Sequence, residues 1–317
     1  MNTLYTFYKA INLKRRSGSQ EEAEFCAWLA TAFKATMIDE AGNLHFDRRN
    51  GKSKTLFTAH SDTCHRGFGK NEYTIDGRFC RAKDDALGAD DAAGIAICMQ
   101  LLQKVDCYVI IFRGEEAGGI GSQWLAKHNP NLLKQFERAI AFDRADYYDV
   151  ISHQAHGRSA SDEFCDALAG QLNAADETFM YMTSPDGVFT DTANLADQVI
   201  ECTNVSVGYF QQHGPNERQD IDFLKRLADA VLKVDWESLP TARQPDTYDA
   251  DLGDGHLKQL VFDALDGDVW PITEHYGGGL ALLQNFETVT VREWEILASM
   301  DEWEIELYLQ DLTEGVV

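Results

Sequence analysis

The sequence predicts an α/β fold: a mostly parallel central sheet with helices on both faces, followed by a small acidic, mainly helical annex at the C-terminal end. Three observations carry this. Apolar runs of strand length alternate with longer stretches whose apolar residues recur at helical spacing, the pattern of a parallel sheet. Reactive polar residues fall directly after several of the strand-like runs. Near residue 240 the chain changes character, and "PTARQPDTYDADLGDGH" reads as a linker. The 317 residues suit one large domain with a smaller unit appended, divided here into 1–240 and 241–317.

The amphipathic opening "LYTFYKAINL" leads into "SGSQEEAEFCAWLATAF", where Ser19 and Glu22 have capping-box spacing and Phe25, Leu29 and Phe33 share a helix face. Turn residues in "NLHFDRRNGKSKTLFTAHSD" separate two short strands, of which "TLFTA" (55–59) ends at His60. "DDAAGIAICMQLLQKV" (90–105) has helix length, and "CYVIIF" (107–112) is a buried strand. "GSQWLAKHNPNLLKQF" is helical with a break near Pro130. "RAIAFD" (138–143) is a strand, "SASDEFCDALAGQL" a helix, and "DQVIECTNVSVGYF" (197–210) supplies one or two late strands. "NERQDIDFLKRLADAVLKV" predicts a long helix. In the annex, "HLKQLVFDAL" and "VREWEILASMDEWEIELYLQDL" are helix-like, and Trp270, Trp294 and Trp303 argue against a disordered tail.

A formal net charge of -24 repels phosphate backbones, so nucleic acid is an unsuitable partner. The seven cysteines are scattered and form no CxxC, as expected of a reduced, cytoplasmic protein. The first twenty residues lack the long apolar core of a signal peptide, and no stretch approaches a membrane span.

The chemistry lies at predicted strand ends, where open α/β sheets bind ligands. In "TAHSDT", His60 and Asp62 are two apart, so a continuing strand sends both to one face. A carboxylate there can hold the second ring nitrogen of a metal-binding histidine. In "LGADDAAGIA" two aspartates precede an apolar helix; they suit a helix N-terminus, and equally a carboxylate shared between two ions. "FRGEEAGGIG" places Glu115 and Glu116 after a strand with Arg113 the one basic residue nearby. A hydrolase working at a metal needs anionic ligands and a separate group to move the proton of water, and adjacent glutamates can divide those tasks. Asp143 ends "RAIAFD", and His213 follows a late strand in "GYFQQHGPNE". Two histidines, a shared aspartate, a glutamate and a further aspartate make a two-metal site. Such nitrogen and oxygen donors favour zinc, with cobalt or manganese as alternatives.

The series as a whole resembles the co-catalytic di-zinc exopeptidases: secreted bacterial leucyl aminopeptidases, glutamyl aminopeptidases and peptidase T. The resemblance spans roughly residues 20–238. It implies the zinc-exopeptidase type of α/β fold, two divalent metal ions, and hydrolysis of N-terminal peptide bonds by a metal-bridging water. The family's Gly-Ala-Asp-x-x-x-Gly pattern selects Asp90 as the bridging residue, with Gly94 closing it and Asp91 as the register alternative. By resemblance, Glu115 is the general base and Glu116 a ligand, a division that a one-residue shift would exchange. One ion then falls to His60, Asp90 and Asp143, the other to Asp90, Glu116 and His213, while Asp62 orients His60. Asp143 and His213 are too close for the dimerisation domain that carboxypeptidase and deacylase relatives often insert. The fourth ligand is aspartate, as in aminopeptidases. The expected substrate is a peptide with a free N-terminus. A deacylase acting on acylated amino acids, or a non-catalytic peptide-binding protein, are the competing readings. The acidic annex departs from the family pattern.

Other residues have plainer expectations. His65, His153 and His156 suit loop or supporting places, and Asp146 and Asp149 suit solvent, though either could replace Asp143 if the strand end shifts. Cys64 could be a nucleophile only with a histidine arranged beside it. "SPDGVFTDTANLA", with Asp191, is similar to family segments near the substrate.

Overall fold

The computed structural model describes residues 2–51, 53–154 and 157–243, then 288–298 and scattered positions between 260 and 309. The chain opens with α1 (Thr3–Ile11) and α2 (Gln20–Phe33), then β1 (Met37–Ile38), β2 (Leu44–Asp47) and β3 (Thr55–His60). A hairpin of β4 (Tyr73–Asp76) and β5 (Phe79–Ala82) precedes α3 (Ala89–Leu102) and β6 (Tyr108–Phe112). Next come α4 (Ile120–His128), α5 (Pro130–Leu133), β7 (Arg138–Arg144), β8 (Asp149–Ile151), β9 (His153–Gln154) and β10 (Gly157–Arg158). The series ends with α6 (Asp162–Ala175), β11 (Met182–Ser184), β12 (Glu201–Ser206), β13 (Tyr209–Phe210), β14 (Arg218–Asp220), α7 (Ile221–Ala230) and α8 (Val291–Ala298).

Eight strands form the main sheet, ordered β1-β2-β6-β3-β7-β12-β8-β11. Its centre, β6-β3-β7-β12, is parallel throughout, and antiparallel pairing is confined to β1-β2, β2-β6 and β12-β8. The fold class is therefore the predicted one, α/β with a mostly parallel sheet. A strand buried on both faces feeds alternate side chains to two layers. Phe57, Ala59, Val109, Ile111, Ile140 and Phe142 enter the layer built with α1, α2, α3, α6 and α7. Leu56, Tyr108, Ile110, Phe112 and Ala139 face the opposite layer, with Leu125 of α4 and Leu133 of α5. Phe57 is fully buried between Phe142 and Trp236, with ring centroids 6.1 and 4.8 Å away. Phe57→Ala is expected to cost about 3–5 kcal/mol, read as a lower midpoint in denaturant unfolding. A loss under about 1 kcal/mol would mean that this layer is not the core.

Local chemistry explains most elements. Ser19 accepts the Glu22 N–H at 3.1 Å and caps α2, and the Glu22 carboxylate reaches back to the Gly18 N–H at 2.7 Å. Pro130 opens α5 at a position where its missing N–H is not needed. The two strands of "NLHFDRRNGKSKTLFTAH" both form, with β6 between them in the sheet. Two features differ from the sequence reading. The β4–β5 hairpin was not anticipated; it pairs with β14 and β13 in a separate four-stranded antiparallel sheet. The "NERQDIDFLKRLADAVLKV" segment begins as β14, and α7 starts only at Ile221, capped by Asp220, whose carboxylate accepts the Phe223 N–H at 3.0 Å. Pairing with β5 overrides helix propensity there.

Chain contacts divide the molecule into compact units at Met1–Tyr248 and Asp249–Val317. The second unit has its own apolar cluster, in which Val261, Phe286, Trp294 and Leu297 are buried. Trp270, Trp303 and His156 lie outside the described residues. Among the described residues, no helix is long and apolar enough to cross a membrane.

Candidate metal centre

Three parallel strands deliver the site. β3 ends at His60, β6 is followed by the Glu115–Glu116 turn, and Asp143 is the penultimate residue of β7. The start of α3 and the loop between β13 and β14 add Asp90 and His213. Asp90 stands between the histidines: Oδ1 lies 3.0 Å from His60 Nε2 and Oδ2 lies 3.1 Å from His213 Nε2. Asp143 Oδ1 is 3.5 Å from the same His60 nitrogen, and Glu116 Oε2 is 3.2 Å from the same His213 nitrogen. Donors around a tetrahedral zinc with bonds of about 2.0–2.1 Å stand roughly 3.3 Å apart, so both spacings suit such an ion. Glu115 Oε2 is 3.9 Å from His60 Nε2, at the edge of the group.

The two adjacent aspartates are not equivalent. Both have non-helical backbone, and the peptide between them is cis. Asp91 is fully buried; Oδ1 accepts the Gly94 N–H at 2.7 Å, as a helix cap does, and Oδ2 accepts the His60 N–H at 3.2 Å. Asp91 also approaches His60 and Asp143 closely enough to form a donor group with them. Its oxygens are already engaged by backbone, however, whereas those of Asp90 face the two imidazoles. Gly94 has no room for a Cβ, which would collide with the Asp91 carboxylate and the Phe142 carbonyl. Closure of the Gly-Ala-Asp-x-x-x-Gly pattern is thus a packing requirement between α3 and β7.

Supporting groups fix these turns. Asp62, fully buried, faces His60 Nδ1 at 3.5 Å without a hydrogen bond, and accepts the Glu115 N–H at 3.1 Å. Asp143 is held by Asn204, which accepts the Asp143 N–H at 2.8 Å and donates to its carbonyl at 2.7 Å where β12 breaks register. The Tyr209 and Thr190 hydroxyls donate to the Asp143 carboxylate at 3.2 and 2.9 Å. Arg15 is wholly buried and donates to the carbonyls of Ser61 and Gly88, tying the His60 turn to the Asp90 turn. Arg113 does not neutralise the glutamates beside it; it makes a two-point contact with Glu22, at 3.1 and 2.9 Å.

Glu217 carries no local sequence signal of its role. Its buried carboxylate accepts four consecutive N–H groups: Leu87 (2.8 Å), Gly88 (3.0 Å), Ala89 (2.7 Å) and Asp90 (3.2 Å). No spacing rule links a glutamate to a turn more than a hundred residues earlier. Glu217→Ala should destabilise the fold by roughly 1–3 kcal/mol and also weaken metal binding through Asp90. Thermal unfolding and metal titration check this; unchanged metal affinity would show that the clamp does not position Asp90.

The electrostatics call for a cation. Burial and then nearby Asp90 push Asp143 up to about 7, and burial with surrounding carboxylates pushes Glu115 up to about 10. Glu116 and Asp91 are raised for the same reason. Burial opposes charge on Asp90, but its bonds to His213 and His60 prevail and hold it well below the usual carboxylate range. The bond to Asp90 lifts His213 to about 9. Divalent positive charge in the gap removes the need for these protons.

A pocket of about 350 Å³ opens onto this group, lined by Asp90, Glu115, Glu116, Asp143 and His213 and walled by Val188, Phe189 and Tyr209. Within the "SPDGVFTDTANLA" segment, Gly187, Val188 and Phe189 line it, while Asp191 is buried and pushed up to about 7 by that burial. His65 is buried against the Thr63 hydroxyl, and His153 contacts Ser152. Asp149 pairs with Arg144, and Asp146 accepts the Tyr147 N–H in a turn. None of these four joins the donor group.

The model of peptidase family M28 matches residues 43–240. No curated protein matches the chain by sequence. Among solved structures, the chain is similar to aminopeptidase PepT from Bacillus cereus, with TM-score 0.62 and 15% identity over 73% of this chain and 96% of that one. A tripeptidase from Staphylococcus aureus gives TM-score 0.62 and 16% identity over 73% and 96%. The TET1 peptidase of Pyrococcus horikoshii, which can assemble into a tetrahedron or a large octahedral shell, gives 0.57 and 14% over 73% and 98%. At these identities the likeness is one of fold.

Proposed function

Since the chain belongs to peptidase family M28, we propose that it is a di-metal aminopeptidase that hydrolyses the N-terminal bond of peptides from a site wholly within residues 1–240. The observation that carries this is the Asp90 carboxylate set between His60 and His213, with Asp143 and Glu116 beside the respective nitrogens. His60, Asp90 and Asp143 would hold one ion, and Asp90, Glu116 and His213 the other. Zinc suits these donors best. Such ions supply Lewis acidity at the scissile carbonyl and make water at the site more acidic.

The chain's own part is proton handling and orientation. Glu115 lines the pocket, and its approach to His60 Nε2, at 3.9 Å, is longer than those of Asp90 and Asp143. Beside positive charge its carboxyl falls back into the range of a useful base. One carboxylate oxygen takes the proton of the attacking water, and the same group returns it to the leaving amine. Asp62 serves both ends of this arrangement, pinning the Glu115 backbone and facing the far nitrogen of His60.

The test is the purified chain, loaded with zinc, against aminoacyl arylamides, free-amino peptides and N-acylated amino acids. Hydrolysis of the first two, abolished by a chelator and restored by zinc, is expected. Cleavage confined to acylated substrates would select the deacylase reading, and bound metal without turnover the peptide-binding one. Metal affinity at the same site should rise with pH. Ion-free His213 and Asp143 hold protons below about 9 and about 7 respectively, and each ligand must surrender its proton to bind. Calorimetry in buffers of different ionisation enthalpy should show proton release at neutral pH; none would contradict the ligand assignment.

A further inference from the structure

We propose that Cys64 is a fourth protein donor at the position held by Asp90, Glu116 and His213, and that its sulfur makes this position zinc-selective. The proposal rests on the two-metal reading above and adds a residue to it.

Cys64 lies in the turn after β3, four residues beyond His60. Its Sγ is 2.9 Å from Glu116 Oε2, the oxygen that is 3.2 Å from His213 Nε2. Asp90 Oδ2 lies 3.1 Å from that same nitrogen. Sulfur, carboxylate oxygen and imidazole nitrogen thus converge, with one donor atom of each of Cys64, Glu116 and His213 within 4.8 Å of the others. A second observation points to a cation at the Glu116 carboxylate. Glu116 Oε1 is buried and without a hydrogen-bond partner, on a side chain only 9% exposed. A buried carboxylate oxygen left unpaired is costly unless a cation or donor meets it. The other six cysteines are all buried, and Cys64 alone is partly accessible.

Thiolate is the metal-binding form of cysteine. On binding, the S–H bond breaks, its proton passes to solvent and a sulfur–metal bond forms, with no change in oxidation state. A thiolate among oxygen and nitrogen donors favours zinc over manganese or magnesium. The donor groups that contain His60 include no cysteine, so the two positions would differ in metal preference.

The full chain, stripped by chelation and then titrated with cobalt(II), should develop near-ultraviolet thiolate-to-cobalt absorption. In Cys64→Ser that absorption should be absent while two metals still bind. Zinc affinity in the variant should fall by about 10–100-fold, with manganese affinity little changed. Zinc should also slow alkylation of Cys64, located by peptide mapping. Two bound metals without the cobalt–sulfur absorption would overturn the proposal, even if alkylation slows, and would leave Cys64 as a hydrogen-bond donor to Glu116. Equal loss of zinc and manganese affinity would overturn the claim of selectivity. Failure to bind any metal would sink the two-metal reading and this proposal with it.

Discussion

Glu115→Gln is expected to lower turnover by about 10²–10⁴-fold while the fold and both ions are retained. Glutamine preserves the shape and the Glu115 backbone bond to Asp62, and removes only the ability to take and return a proton. Glu115 contributes no short contact to either histidine, in contrast to Asp90 and Glu116. Kinetics with an aminoacyl arylamide and metal analysis of the same preparation check this together. Activity within a few-fold of the parent chain would show that Glu115 is not the base. Loss of a metal would show that it is a ligand, exchanging its role with Glu116.

The second large effect concerns the shared carboxylate. Asp90→Ala should abolish activity and weaken both metal positions, because its two oxygens face two histidines. Asp91→Ala should act differently. It removes the acceptor for the Gly94 and His60 N–H groups, and leaving such buried donors unpaired costs roughly 1–3 kcal/mol of stability, with metal binding affected less. Metal stoichiometry and unfolding midpoints, measured for both variants, separate the cases. Loss of both ions in the Asp91 variant with retention in the Asp90 variant would reverse the assignment.

The sequence made the architecture legible because its signals are local. Strands buried on both faces read as continuous apolar runs such as "YVIIF", and α2 announces itself through Ser19 and Glu22. β14 has no local signature, since its stability comes from pairing with β5, whereas the β4–β5 hairpin does have one, the Asp76–Gly77 turn between two short strands, with Gly77 at positive φ. The donor residues are legible for a related reason: His60, Glu116, Asp143 and His213 follow apolar strand-like runs, where a parallel sheet opens to ligand, and Asp90 opens an apolar helix. His60, Asp90, Glu116, Asp143 and His213 do come together in space. Asp91 and Asp90 could not be told apart by spacing.

What the sequence determined by itself is therefore the main helices, the buried central strands, the sheet type and a set of candidate donor side chains. Tertiary structure alone decided which oxygen faces which nitrogen. It also placed Glu217 beneath the Asp90 turn, Asn204 beside Asp143, Arg113 on Glu22 and Cys64 on Glu116. The physical reason is range. Helix caps and apolar periodicity act over a few residues, whereas these contacts join segments up to 130 positions apart, as for Glu217 and Leu87, and exist only once the sheet has aligned its strand ends.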